Sequence, residues 1–324
     1  MSWKLDICHV TSYHYDRPVV SSYNEARVTP MGTDRQLVGH SEVRVEPQAD
    51  VFAYYDYWGS LVHTFDIHDP HETLVVTSVA TVETSTSGSG GRGGSGVSSG
   101  SGGPSGSGGP GGEPGELVRA DGRPVVEGVE EFDGADGAGW EELATSEIAD
   151  RYYEFLAPSR LVNTTELSPV ARELREASST PLEAARAGVE WAHGQLEYGG
   201  GATDVGTSAI EAWRAGRGVC QDYAHLSLAV LRAMNIPARY VSGYFYPNAD
   251  GVVGVELLGE SHAWVEAWTG EWAPHDPTNG VPVDERHVVV ARGRDYYDVA
   301  PMRGIYSGPP GSSNEVSVKL TRRA

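Results

Sequence analysis

The stretch GRGVCQDYAHLSLAVLRAMNIPARYVSGYFY, residues 216–246, limits the possible folds of this chain more than any other. After Cys220, the residues Tyr223, Ala224, Ser227, Leu228, Leu231 and Met234 recur at steps of three and four, with more apolar residues between them. That pattern predicts a helix from about Cys220 to Asn235, buried over most of its circumference and therefore wrapped by other elements. Asn235 and Pro237 supply its stop. ARYVSGYFY, SHAWVEAW and EWAPHDP follow as strands of an antiparallel sheet. The expected architecture is α+β, with one central helix packed on that sheet.

Upstream the chain changes character twice. From Lys4 to about Thr84 it is β-rich, in the runs SYHYDRPVV, HSEVRVEP, VFAYYDYW, SLVHTFDIH and ETLVVTSVATVE. Several alternate apolar with polar residues between Pro, Gly or Asp, so an antiparallel N-terminal domain is expected over 1–84. Gly, Ser and Pro then dominate to Gly115, and acidic Gly-rich sequence continues to about Ala138. Such composition cannot bury enough apolar surface to offset its ordering entropy, so 85–138 is expected to be a flexible insertion. Helical periodicity begins near Trp140, where Leu143, Ile148, Tyr152, Phe155 and Leu156 form one apolar stripe. A second helix is expected from Ser168, and a third opens with Pro181 at a first-turn position. Residues 139–324 form the second expected domain.

Composition narrows the function classes. No stretch approaches the roughly 20 apolar residues of a membrane-spanning helix. The start, MSWKLDICHV, lacks the basic-then-apolar pattern of a signal peptide. Cys8 and Cys220 are the two cysteines and make no disulfide framework, so the expectation is a soluble cytoplasmic protein with reduced thiols. The formal net charge is −21, with Lys4 and Lys319 the two lysines among 24 basic residues. A surface so acidic repels nucleic acid and anionic membranes, which excludes both as expected partners. It fits a protein kept soluble in a high-salt cytoplasm, where self-repulsion is screened; a GC-rich genome favouring Arg codons gives the same composition.

Cys220 is a core residue by default, because free Cys is among the most buried residue types. Three placements argue for a nucleophile. Cys220 stands where a helix N-terminus stabilises a thiolate. A partner imidazole needs a third group to hold its tautomer, and His262 begins one strand-like run while Asp276 ends the next. Antiparallel neighbours can set those side chains together. His225 lies five residues along the helix, about 140° round from Cys220, and faces elsewhere. His275 adjoins Asp276 and in a strand points to the other face. Asp222 falls in the first helical turn, where a carboxylate is favoured in any case.

GRGVCQDYAH, IPARYVSGY, SHAWVEAW and HDPTNG, in this order and spacing, resemble the catalytic core of the bacterial and archaeal transglutaminase-like proteins. VTSYHYDRPVVSSYNEARVTP with HDPHETLVV is similar to the β-rich N-terminal region of those proteins, and ARGRDYYDVAPMRGIYSG to their C-terminal segment. The resemblance covers nearly the whole chain except about 85–138. It implies a papain-like α+β transglutaminase fold preceded by the β-rich domain, with Cys220 as nucleophile, His262 as general acid/base and Asp276 orienting His262. The implied reaction is attack of the thiolate on a peptide or glutamine-type amide, giving a thioester that passes to water or to an amine. For the oxyanion, the Cys220 backbone N–H is the natural first donor, and Trp213 and Gln195 are candidates for the second. Where the family shows an aromatic-Gly-Asn turn, this chain has Trp58-Gly59-Ser60.

Other clusters carry less. His63, His68, Asp69, His71 and Glu72 crowd one segment, but strand alternation scatters their directions and no thiolate joins them, so no metal is expected. Cys8 and His9 read as a half-buried strand pair, Trp264 and Trp268 as core with a cleft wall as the alternative, and Arg294, Asp295 and Arg303 as structural ion pairs with a substrate-carboxylate site as the alternative. The expected function is therefore a cysteine-dependent amidohydrolase or acyltransferase with a peptide or protein amide substrate and no cofactor. The alternative is a catalytically idle binding module on the same fold, against which an intact Cys, His and Asp argue. Oligomeric state leaves no trace in the sequence.

Overall fold

Alternation sets the longest strand, Ser2–Val19, in which Trp3, Leu5, Ile7, His9 and Thr11 turn inward at every second position. In this computed structural model, which describes residues 2–86, 137–308 and 311–324, that strand pairs antiparallel on both edges. His71–Ser85 lies on one side, with Leu5 opposite Val82 and Ile7 opposite Ala80. Ser312–Arg322 lies on the other, with Ile7 opposite Leu320. The first and last strands of the described chain are thus neighbours. The sheet extends past His71–Ser85 to Gln36–Glu46, and past Ser312–Arg322 to Glu256–Trp268, Trp272–Asp276 and Val281–Pro282. Ala238–Phe245 pairs with Glu256–Trp268 and with His287–Gly293. Strands from both ends of the sequence therefore share one sheet. A second sheet runs Met302–Ser307, Ser21–Ala26, Leu61–Ile67 and Phe52–Tyr55.

The helix expected after Gly218 runs Cys220–Ala233, and every residue from Gln221 to Arg232 is buried. Asn235 closes it in the left-handed region at φ 60°, which Asn tolerates better than most residues. Leu226, Leu228, Leu231 and Met234 share one apolar cluster with Tyr240, Ala263, Val265 and Ala267 from the sheet. At about 1.5–3 kcal/mol for each large side chain fully buried, this contact anchors the helix firmly. Its charged residues are buried with partners. Arg232 donates to the carbonyls of Ala238, Ala157 and Arg294. Burial pushes His225 down to about 4, and its Nε2 accepts the Tyr296 N–H at 3.2 Å.

Helices Ser168–Ala177 and Pro181–Gln195 start where expected, the latter capped by the Thr180 hydroxyl accepting from Glu183 N–H. The stripe from Trp140 differs. It breaks into Trp140–Leu143, Ser146–Arg151 and Tyr153–Leu156. Thr145 causes the first break, because its hydroxyl accepts from Ile148 N–H and starts a new helix. The insertion expected over 85–138 lies, apart from its ends, outside the described residues. No helix among the described residues is long and apolar enough to cross a membrane.

Candidate active site

Backbone geometry ahead of Cys220 places the thiol. The helix Ala209–Ala215, opened by a reciprocal Ser208–Glu211 capping box, ends at Gly216 with φ +65°. Arg217–Gly218 then pairs in parallel with Glu197–Tyr198. Gly218 passes so close to the next helix that an added Cβ would lie 2.6 Å from the Asp222 Cβ. Asp222 occupies that space: its Oδ2 accepts the Val219 N–H at 2.8 Å and the Thr203 hydroxyl at 2.7 Å. This carboxylate caps the helix and tethers the preceding loop. Cys220 follows, half-buried, at the first helical position. First-turn N–H groups have no partner inside their helix, so this end is a site for negative charge.

His262 comes from the long strand Glu256–Trp268, opposite Gly243, and Cys220 is near enough to raise its ring. Asp276 ends the adjacent strand, whose register sets His275 opposite Val265. Its Oδ2 lies 2.9 Å from His262 Nε2. An ionised carboxylate only accepts, so His262 Nε2 carries a proton and Nδ1 is the nitrogen left for the thiol. Burial opposes a charged His262 ring. The hydrogen bond to Asp276 and the proximity of Cys220 outweigh it and lift the ring to about 9. Burial likewise opposes charge on Asp276, but bonds from His262, His287 and Asn279 hold the carboxyl well below the usual range.

Two neighbours of Asp276 have no role assigned from the sequence. Asn279 Nδ2 donates to Oδ2 at 2.8 Å, and His287 Nε2 lies 3.2 Å from the same oxygen. The N–H groups of Thr278 and Asn279 donate to Oδ1 at 3.0 and 3.2 Å. His262, Asp276 and His287 are the group among the described residues whose potential metal-ligand atoms lie within 4.8 Å of one another. With five donors on the carboxylate, three of them on Oδ2, its lone pairs are engaged, and the cluster fits a hydrogen-bond network better than a cation site. A third residue missed from sequence is Tyr198. Burial raises its phenol, and the Cys220 and Glu260 charges raise it further. A two-residue strand gives no periodicity by which to find it.

The remaining candidates go elsewhere. Trp213 Nε1 donates to Gln195 Oε1 at 3.1 Å, so the two side chains proposed for the oxyanion bind each other and the indole N–H is engaged. His275 is held down to about 4 by burial and by Arg186. In the histidine-rich segment, His63 bonds Thr29, His71 bonds Ser22 and the Asp69 carbonyl, and His68 packs edge-on against Tyr23. His9 is buried between Tyr244 and Thr11. Trp264 and Trp268 are buried, and Arg294 pairs with Asp298.

Residues 5–83 match the bacterial transglutaminase-like N-terminal region, and residues 168–277 match the transglutaminase-like superfamily. The second match contains Cys220, His262 and Asp276, while His287 lies beyond it. An uncharacterized protein of Mycobacterium leprae is 38% identical over 323 residues, spanning 99% of this chain and 100% of its own. Another, of Mycobacterium tuberculosis, is 33% identical over 327 residues, spanning 97% and 91%. Among solved structures, a candidate cysteine protease from Cytophaga hutchinsonii is similar with a TM-score of 0.70. It is 21% identical and the match covers 99% of this chain and 91% of that one, a likeness of fold.

Proposed function

The chain belongs to the transglutaminase-like superfamily, and on that premise we propose that it cleaves peptide or glutamine-type amide bonds through a thioester on Cys220. The observation that carries this reading is the His262–Asp276 hydrogen bond at 2.9 Å, with Cys220 near His262 at the N-terminus of a buried helix. An imidazolium and a helix N-terminus both favour the thiolate over the thiol. In the proposed reaction the Cys220 sulfur attacks the amide carbonyl carbon, and the Cys220 N–H stabilises the oxyanion that forms. Collapse breaks the C–N bond, with the leaving amine taking a proton from His262. His262 then removes a proton from water as it attacks the thioester, releasing the acid and the thiol. Asp276 stays ionised and holds the ring with Nε2–H toward itself, so that Nδ1 serves both transfers. Water is the default acceptor and no feature among the described residues marks a site for a second amine, which favours hydrolysis over crosslinking.

The test is to incubate the protein with a peptide library and trap the acyl-enzyme by acid quench and mass spectrometry. An acyl mass on the Cys220 peptide is expected, absent in Cys220→Ala; added amines then separate transfer from hydrolysis. A Cys220→Ala protein that still carries the label refutes the assignment.

A further inference from the structure

His287 enters the site from the opposite end of the triad. It stands on the strand His287–Gly293, opposite Phe245 of Ala238–Phe245, and its side chain is fully buried. Its ring packs against Phe245 with centroids 4.7 Å apart and edge-on against Trp264 at 5.4 Å. Nε2 faces Asp276 Oδ2 at 3.2 Å. On the other side, Nδ1 lies 3.2 Å from the Asp284 backbone N and 3.3 Å from Asp284 Oδ1. Asp284 itself is held by Arg286. Either partner of Nδ1 leads to the same state of Nε2. An N–H at Asp284 makes Nδ1 an acceptor and puts the ring proton on Nε2. A neutral ring donating from Nδ1 to Oδ1 would set a bare Nε2 against the Asp276 oxygen, so that donation calls for a doubly protonated ring. In both cases Nε2–H points at a carboxylate that only accepts.

We infer that His287 is a positioning residue of this site, donating Nε2–H to Asp276 Oδ2 and so setting how strongly Asp276 holds His262. The inference rests on the triad reading above. The groups facing His262 are Cys220 from the helix, Asp276 and Asn279 from the strand end and its turn, and the rings of Phe245, Trp264 and His287. Asp276 keeps four other donors when His287 is removed, so it stays in place. Its negative charge, shared among fewer donors, then concentrates on His262 and raises the pH at which that ring deprotonates.

The experiment is a pH titration of ring-15N histidine by long-range 1H–15N NMR on the resting full-length protein, with His262 and His287 assigned by substitution. It requires no substrate, so failure of the amide-cleavage reading does not decide it. In the wild type, His287 Nε2 is expected to be protonated throughout. His287→Phe, which keeps the ring packing, is expected to move the His262 titration up by about half a pH unit or more. His287→Gln, whose amide N–H₂ reaches the same oxygen, is expected to return it toward the wild-type value. The pH dependence of Cys220 alkylation should move in step. A role in packing alone would change stability without moving the titration. An unprotonated Nε2 in the wild type overturns the inference without any variant. So does a His262 titration that is unchanged or lowered in His287→Phe, and His287→Leu replaces that variant should it fail to fold.

Discussion

Raising the pH through the range where His262 titrates should weaken the fold, by an amount the site geometry fixes. Burial lowers His262, but the Asp276 bond and nearby Cys220 hold it at about 9, above the ordinary 6.5. A group raised in the folded state binds its proton more tightly there. Its stabilisation is therefore complete below about pH 6.5 and disappears as pH rises through 9. The span between those values corresponds to about 3 kcal/mol. At a urea m-value of about 3 kcal/mol per M, the midpoint attributable to His262 should fall by about 1 M. The assay is urea denaturation at pH 6, 7.5 and 9 on wild type and His262→Gln, reading the difference between the two. Cys220 is among the groups that raise the His262 ring, so the pair is repeated on Cys220→Ala. There the effect should persist, because the Asp276 bond is the foremost cause raising the ring. Asp276→Asn removes that bond, leaves burial to dominate, and should abolish the difference. Parallel midpoints for wild type and His262→Gln across pH 6–9 would refute the reasoning.

Other perturbations follow from the same contacts. Gly218→Ala places a Cβ 2.6 Å from the Asp222 Cβ and 2.7 Å from its Oδ2; thermal melts should show a loss of about 1–3 kcal/mol, with slower Cys220 alkylation as the helix end shifts. Glu266 is buried between Arg239 and Arg292, whose guanidinium groups outweigh burial and hold it at about 2. Glu266→Gln leaves two cations without their counter-charge and should cost about 3–5 kcal/mol in urea denaturation. Cys220→Ser should keep the fold by circular dichroism while losing acyl-enzyme formation, since a hydroxyl is not ionised by this imidazole.

Much of this arrangement was legible because its signals are local. The apolar steps after Cys220 fix a buried helix, Gly216 and Gly218 mark the tight approach to it, and strand alternation separates Asp276 from His275. The resemblance of four short motifs then ties Cys220, His262 and Asp276 together. What escaped depends on long-range register. His287 reads as one polar residue at the head of HVVVARG, and its place beside Asp276 exists only because His287 pairs with Phe245 and His262 with Gly243 on the same strand. Pairing of Ser2–Val19 with Ser312–Arg322 joins residues about as far apart as the chain allows and leaves no mark in either segment. The break at Thr145 is local, yet the apolar stripe continues across it and conceals the competing cap. Trp213 and Gln195 were plausible donors by type, and only side-chain geometry shows them bonded to each other.

The central claim is that His262 activates Cys220, and the chain carries its own control in Cys8, a half-buried thiol on the first strand. Iodoacetamide labelling at neutral pH, with both cysteines followed by mass spectrometry, tests it most directly. The account predicts that Cys220 reacts at least about tenfold faster than free cysteine, that Cys8 does not, and that His262→Ala removes the advantage. A Cys220 that reacts no faster than free cysteine and is indifferent to His262→Ala would contradict it.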